Sequence, residues 1–275
     1  MRPVYIIAGK EIRDALRNRW VISATLLLAG LAFALAFLGS TPTGILGAKP
    51  LAVTVVSLAS LTIFLLPLIA LMLAYDALVG EAERGTLLLL LTYPVTKGQV
   101  LLGKFLGHVV VLAWATILGY GAAGLAVGLG GEGADPQSWH AFGALLGSSV
   151  LLGAVFVAIA YLISSLVRER GSAAGMAIGV WLLFVVLYDM GLLGVLVATG
   201  GQIHEQLFPW LLLGNPADIF RLFNLTTFDN VRTFAGLAGI SGQVNLSPFV
   251  LLGALLAWIV VPLLGAVIVF RRREL

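Results

Sequence analysis

Long apolar stretches alternate with short polar ones along most of the chain. A transmembrane α-helix needs roughly 20 predominantly apolar residues to cross the hydrocarbon core of a bilayer. Six stretches meet this requirement, at residues 21–39, 52–75, 105–129, 142–166, 173–198 and 249–270. The pattern predicts an all-α polytopic membrane protein with six transmembrane helices, numbered here as spans one to six in chain order.

Residues 1–20, which precede the first span, are predicted to form an amphipathic helix. Apolar side chains fall on or near one side of this helix and charged ones largely on the other: Tyr5, Ile6, Ile12 and Leu16 against Lys10, Arg13, Asp14 and Arg17. A helix of this kind favours a position along the membrane surface. The alternative is that residues 1–20 are only the charged flank of the first span.

The composition agrees with a single transmembrane domain over residues 1–275. Hydrophobic residues make up 60% of the chain and charged residues only 11%, whereas a soluble globular protein has about 25% charged residues. The chain has too few polar side chains to cover a surface that faces water. Because it contains no cysteine, disulfides, thiolate metal sites and cysteine nucleophiles are excluded.

The distribution of basic residues predicts the orientation. Thirteen of the 16 Lys and Arg residues lie in residues 1–20, in the loops 76–104 and 167–172, or in the tail 271–275, and three lie in the alternate loops. Because basic segments stay on the cytoplasmic side, both termini are predicted to be cytoplasmic, in a bacterial inner membrane. This placement accounts for the basic isoelectric point, so we expect no nucleic-acid partner.

The chain carries no nucleotide-binding motif of its own. No G-x-x-x-x-G-K-[ST] phosphate loop occurs, and the loops between the spans are too short to form a nucleotide-binding domain. The energy for any transport must therefore come from a gradient or from a partner.

The loop between spans two and three contains the sequence GEAERGTLLLLLTYPVTKGQVLLGK, within a predicted cytoplasmic region at residues 77–99. Glu81, Glu83 and Arg84 are predicted to begin a short helix, since carboxylates suit a helix N-terminus. The following leucines can pack against a partner's groove or against the underside of the bundle, and Pro94 then separates this helix from span three. A charged start and an apolar body are typical of a docking surface.

This loop resembles the signature of ABC-2 type permeases. The similar residues are Glu81-x-Glu83-Arg84-Gly85-Thr86-Leu87, the stretch Leu-Leu-Thr-x-Pro-Val-Thr-Lys and Gly103-Lys104, and Asn215-Pro216-Ala217-Asp218 resembles the family's outer element before the last span. The resemblance implies six spans, an N-terminal surface helix and a coupling helix between spans two and three. It also implies that two copies of the chain pair, each seated on an ATP-binding cassette subunit that binds ATP and magnesium. The chain itself is then non-catalytic and holds no cofactor.

The resemblance also implies which residues contact the ATP-binding subunit. They are Glu81, Glu83, Arg84, Gly85, Thr86 and Leu87 and, in the loop between spans four and five, Arg168, Glu169 and Arg170. For the second loop the alternative is an ordinary basic flank, because arginines are common in inner loops.

A closer similarity in the segment GKEIRDALRNRW favours those ABC-2 permeases that serve copper-site assembly of nitrous-oxide reductase. This similarity implies a periplasmic copper-handling protein as a further partner. The alternative is an exporter of a lipid, a polysaccharide or a small hydrophobic molecule.

The residues offer little chemistry of their own. Copper sites favour thiolate, thioether or imidazole ligands, and the four methionines and three histidines include no pair with ligand spacing. No metal site is therefore predicted. A hydrolase would need a nucleophile beside a positioned base, and the histidines lie near the span ends or outside the spans, which disfavours an intramembrane enzyme.

Residues 199–248 are predicted to form a periplasmic segment between spans five and six. The segment is too polar to span and too apolar to float freely. Its aromatic and basic side chains predict contact with a periplasmic partner: Phe208, Trp210, Phe220, Arg221, Phe223, Phe228 and Arg232. The alternative is a position in the headgroup layer, where aromatic residues also concentrate.

Asp189 is a polar residue inside predicted span five. A charge within a span is costly and is therefore a candidate functional group. We predict that the span breaks near Asp189 and continues as a re-entrant helix. The alternative is a carboxylate that simply reaches the headgroups.

Overall fold

The computed structural model describes residues 2–17, 19–38, 50–130, 136–199, 208–226 and 246–273. Every regular element in these residues is helical, which confirms the predicted all-α class. In chain order the helices are α1 (Arg2–Leu16), α2 (Arg19–Leu38), α3 (Pro50–Ala74), α4 (Val79–Glu83), α5 (Thr86–Leu91), α6 (Lys97–Gly130), α7 (Pro136–Leu166), α8 (Arg170–Leu182), a π-helical turn (Leu183–Leu187), α9 (Tyr188–Ala198), α10 (Phe208–Leu213), α11 (Pro216–Thr226) and α12 (Pro248–Arg272).

Five helical stretches in the described residues are long and apolar enough to cross a membrane. They are Leu51–Glu83, Lys97–Leu129, Pro136–Leu166, Arg170–Ala198 and Pro248–Arg272. α2 reaches the same standard only together with α1, from which it is bent by 69°. The chain is thus an integral membrane protein with at least five candidate spans, and the sixth stays a prediction.

Helix α7 lies at the centre of the bundle. It packs against α3, α6, α11 and α12, and its largest fully buried side chains are Phe156 and Tyr161. By contrast, only 6% of the apolar window in Arg170–Ala198 is buried within the chain. That stretch therefore presents its apolar surface to lipid or to another chain, because apolar side chains there have no intramolecular cover.

The segments predicted to be cytoplasmic meet at one end of the bundle, which we call the basic end. It comprises α1, α4, α5, the start of α6, residues 167–169 and the end of α12. There Arg170 pairs with Asp76 at 2.8 Å, and Lys97 Nζ donates to the Arg273 carbonyl at 2.7 Å. The opposite end comprises the end of α9, α10, α11 and the start of α12. Which end faces the cytoplasm stays a prediction.

The predicted break of span five near Asp189 is wrong. The helix runs without a sharp bend from Arg170 to Ala198, although a π-helical turn precedes Asp189. In this turn the Tyr188 N–H donates to the Leu183 carbonyl, five residues back, rather than to that of Phe184. Continuous helix is expected here because backbone groups that face lipid must find partners within the helix.

Two glycines of α6 let α1 approach closely. A Cβ atom at Gly107 would lie 2.6 Å from Cβ of Glu11, and one at Gly103 would lie 2.8 Å from Cβ of Ile7. Small residues four apart commonly mark such close helix contacts in membranes. The side of α1 that packs on the bundle therefore carries Ile7, Ala8 and Ala15, whereas Tyr5, Ile6 and Leu16 are exposed.

We expect Gly107→Ala to lower the thermal unfolding midpoint of the detergent-purified chain. The new methyl group would collide with Glu11 and the Ala8 carbonyl, and overpacking of this kind costs about 1–3 kcal/mol. Gly121→Ala on the same helix is the control, because a Cβ there meets nothing within 4 Å. Equal midpoints for the two variants would contradict the close packing of α1 on α6.

Candidate coupling site

The predicted helix that starts at Glu81 is instead two short helices. α4 ends at Glu83 and α5 begins at Thr86. Gly85 between them has φ +71°, a left-handed conformation that glycine adopts without strain. Glu81 lies in the first turn of α4, where the helix dipole favours a carboxylate, but Glu83 is the last residue of α4.

The start of α4 is fixed to α7 by one hydroxyl group. The backbone N–H groups of Leu78 and Val79 both donate to Oγ of Ser164, each at 3.1 Å. All three residues are buried, and buried N–H groups require partners. Ser164 supplies them where the helical hydrogen bonding between α3 and α4 is interrupted, so the loop cannot move away from α7 without exposing unpaired donors.

Lys104 of α6 joins α1 to α4. Its ammonium group lies 2.7 Å from Glu11 Oε1 and 2.8 Å from Glu81 Oε1. The Lys104 side chain is 3% exposed, and the two carboxylate side chains are 11% and 14% exposed. A buried charge is tolerated when it is paired and hydrogen-bonded. We call Lys104, Glu11 and Glu81 the lysine cluster.

The carboxylate of Glu11 is held in its ionised form. Burial alone would raise the pKa of Glu11, but the charge of Lys104 and its hydrogen bond outweigh burial and hold the pKa below its ordinary value. Lys10, at the exposed edge, lies 3.5 Å from Glu11 and 3.7 Å from Glu81. The cluster itself carries one positive and two negative charges, and Lys10 places a second cation at its exposed edge.

A second layer of polar groups lies next to the lysine cluster inside the bundle. His108 Nδ1 of α6 lies 2.7 Å from the hydroxyl of Tyr161 of α7, and His108 Nε2 lies 3.9 Å from Glu11 Oε2. The sequence analysis did not identify this group. The sequence signal for it is Lys104 between Gly103 and Gly107. Two small residues four apart predict a close helix neighbour, and a buried lysine beside them requires a charged partner on that neighbour.

The nine predicted contact residues divide into inward and outward groups. Glu81 faces Lys104, Leu87 is buried, and Glu83 Oε1 accepts a hydrogen bond from the backbone N–H of Arg170 at 2.7 Å. Arg84 and Thr86 are exposed, Gly85 is half-buried, and Arg168, Glu169 and Arg170 are exposed beside α4.

The exposed surface of α5 includes residues that the sequence analysis did not single out. Leu88, Leu89 and Tyr93 are all more than half exposed, Leu89 to 66%. Together with Arg84 they form an apolar surface with one cation at its edge, which we call the α5 surface. Exposed apolar groups of this kind mark contact sites.

At the opposite end, Asp189 is held by α11. Arg221 donates to Asp189 Oδ2 and to Asp218 Oδ1, both at 2.7 Å. Asn215 caps α11 by accepting from the Ala217 N–H at 3.0 Å, and its Nδ2 donates to the Phe184 carbonyl at 2.9 Å. Arg221 thus joins span five to α11 and lies within the chain's own ion-pair network.

The residues predicted to contact a periplasmic partner lie in different environments. Phe220 and Phe223 are buried among helices of the bundle, since α11 packs against α3, α7 and α12. They are core residues, contrary to expectation, because α11 inserts between spans. Trp210 is 70% exposed and can meet a partner. The side chain of Phe208 and all of Phe228 and Arg232 lie outside the described residues.

No group of three or more histidine, aspartate or glutamate side chains within the described ranges is placed to hold a metal ion. The charged side chains at the two ends pair mainly with one another, although Glu81 Oε2 is buried without a hydrogen-bond partner among the described residues. Their arrangement joins helices to one another.

Comparisons with known proteins agree with this architecture. Residues 5–275 match the family described as ABC-2 family transporter protein. A protein of Stutzerimonas stutzeri, named as a probable ABC transporter permease protein NosY, is 50% identical over 274 residues, which cover 99% of both chains. The protein of the same name from Pseudomonas aeruginosa is 48% identical over 276 residues, which cover both chains completely. The chain therefore belongs to the ABC-2 transporter family, as an ABC transporter permease subunit similar to NosY over its whole length.

Proposed function

We propose that this permease carries movement from ATP-binding subunits at the basic end to the opposite end of the bundle, in copper-site assembly of nitrous-oxide reductase. Two copies of the chain pair in the bacterial inner membrane, each on one ATP-binding subunit that holds ATP and magnesium. Both termini face the cytoplasm. The similarity to NosY supports the nitrous-oxide reductase role, and a periplasmic copper-handling protein is the partner at the opposite end.

The observation that carries the proposal is the buried contact of Lys104 with Glu11 and Glu81. Because Glu81 belongs to α4, a displacement of α4 either moves Lys104 and Glu11 with it or separates charges in a site of low dielectric. Breaking a buried ion pair costs about 3–5 kcal/mol. The favoured response is that α1, α4 and the start of α6 move together.

Helix α7 offers the connection to the opposite end. Ser164 near the end of α7 holds the start of α4, and Ser148 accepts a hydrogen bond from Asn224 Nδ2 of α11 at 2.9 Å. The two serines are separated by roughly 24 Å along a helix that rises 1.5 Å per residue. A movement of α7 therefore acts on both ends, because each end is bonded to it.

Two sets of exposed side chains support the proposed binding sites for the partners. The α5 surface combines apolar area with Arg84, which suits a protein groove with an acidic edge. At the opposite end Trp210 supplies an exposed aromatic group of the kind enriched in binding hot spots. Phe220 and Phe223 support the position of α11 and do not meet the partner.

We expect Lys104→Met to lower stability by about 3–5 kcal/mol, because Glu11 and Glu81 would lose their buried partner and keep only the more distant, exposed Lys10. Thermal unfolding of the purified complex measures this loss. Lys10→Met is the matched control; its ammonium group is more than half exposed and lies farther from both carboxylates, so its ion pairs are worth at most about 1 kcal/mol.

The combined variant Glu11→Gln, Lys104→Met and Glu81→Gln separates stability from coupling. It removes all three charges, so we expect unfolding close to that of the unchanged chain. If the cluster transmits movement, the complex still hydrolyses ATP in reconstituted membranes while the copper content of nitrous-oxide reductase in cells falls. Normal copper content in cells with this variant would contradict the proposal.

We expect the variant Arg84→Glu with Leu88→Ser and Leu89→Ser to fold normally but to retain much less ATP-binding subunit on affinity purification. These side chains are exposed, so their loss removes partner contacts without opening the core. Leu87→Ser is the comparison, because Leu87 is buried and its replacement lowers stability. Unchanged co-purification would place the subunit elsewhere.

We expect Trp210→Ala to reduce co-purification of a periplasmic partner while leaving the unfolding midpoint nearly unchanged. Phe220→Ala should instead lower the unfolding midpoint, since removal of a buried phenylalanine costs about 3–5 kcal/mol, and the folded fraction should retain the partner. If Trp210→Ala retains the partner fully, the exposed part of α10 is not its binding site.

A further inference from the structure

An open apolar groove lies where α1, α2 and α6 meet. Its volume is about 480 Å³, which falls within the roughly 300–1,000 Å³ of ordinary ligand pockets. Nine of its ten lining side chains are apolar or aromatic, with Leu16 on the α1 side and Trp114 on the α6 side. The tenth, Thr25, donates its hydroxyl hydrogen to the Val21 carbonyl of its own helix at 2.8 Å. The groove therefore favours an apolar occupant.

Three arginines adjoin this groove in the chain. Arg13 and Arg17 follow the lining residues Ile12 and Leu16, and Arg19 comes two residues before the lining residue Val21. All three arginines are exposed. Within the described residues none of them forms an ion pair with a carboxylate, and Asp14, the nearest acid in sequence, lies 3.4 Å from Lys10. An apolar groove thus adjoins three unpaired positive charges.

We infer that the groove holds one acyl chain of an anionic phospholipid whose phosphate group is bound by Arg13, Arg17 and Arg19. The apolar walls match the tail, and the unpaired arginines match the headgroup charge. α1 and α2 are bent by 69° relative to each other. With α2 as a span, α1 would lie closer to the membrane surface, where phospholipid headgroups are. Basic residues beside a span attract anionic lipid in the same way.

The lipid would contact the helix that carries the lysine cluster. Ile12 of the groove directly follows Glu11, which pairs with Lys104 on the neighbouring face of α1. A bound lipid would therefore contact both α1 and α6 beside the close approach that Gly103 and Gly107 allow. This role is independent of which partners the permease serves.

Lipid binding to the purified full-length chain tests the inference. We would titrate phosphatidylglycerol and phosphatidylcholine with identical acyl chains and count bound lipids by native mass spectrometry. Phosphatidylglycerol should bind more tightly. Replacing Arg13, Arg17 and Arg19 with Gln should weaken it by roughly fivefold per arginine, about a hundredfold in all. Replacing Arg2, Arg168 and Arg272 with Gln, which removes the same charge elsewhere, should leave the affinity nearly unchanged.

Variants that occupy the groove test the acyl chain separately. Ala115→Phe adds a ring from the α6 wall and should reduce the binding of both lipids, and Thr25→Phe enters from the α2 wall if the first variant does not fold. Ala122→Phe, two turns further along α6 and exposed, is the control. Equal binding of the two lipids by the unchanged chain would overturn the inference. Unchanged lipid binding in both groove variants would also overturn it. So would a groove variant that changed the pairing of two chains but not the binding of lipid.

Discussion

The bundle depends on the burial of the Lys104 ammonium group between two carboxylates. Its side chain is 3% exposed, and such a charge is stable only while its partners stay in place. The partners come from α1 and α4, which are separated along the chain by two helices, so one lysine determines how the N-terminal helix, the loop after α3 and the start of α6 fit together. Gly103 and Gly107 make the geometry possible because they bring α1 close enough to reach it.

A membrane protein gains little from moving apolar groups out of lipid, so close packing and polar contacts determine how its helices associate. This chain shows both devices on α6 and α7. Ser164 satisfies two backbone donors at the basic end, Ser148 bonds to Asn224 towards the opposite end, and Tyr161 contacts His108 between them. α7 is therefore the one helix bonded through its side chains to α4, α6 and α11 within the described residues. It has the contacts that a rigid connecting element requires.

The sequence predicted well what depends on hydrophobicity and less well what depends on side-chain direction. Apolar run lengths located the helices, and the basic residues identified the segments that gather at one end. Glu81 and Arg84 looked equivalent as charges, yet Glu81 faces Lys104 and Arg84 faces outward. Phe220 was predicted to contact a partner because it is one of the aromatic residues in the segment between spans five and six, but α11 inserts between spans and buries it. Asp189 suggested a break in span five, but the helix continues to Ala198, because backbone groups that face lipid find their partners within the helix.

The π-helical turn at Leu183–Leu187 determines more than the local hydrogen bonds. Relative to a regular α-helix it accommodates one additional residue, and each residue rotates the helix face by about 100°. Loss of a single residue from this turn would therefore rotate Asp189 away from Arg221 and return the Phe184 carbonyl to its helical partner, away from Asn215. An insertion or deletion here would therefore break the polar contacts of span five with α11 and Asn215, although α11 itself is unchanged. The length of this turn is thus a constraint on how homologous chains can diverge.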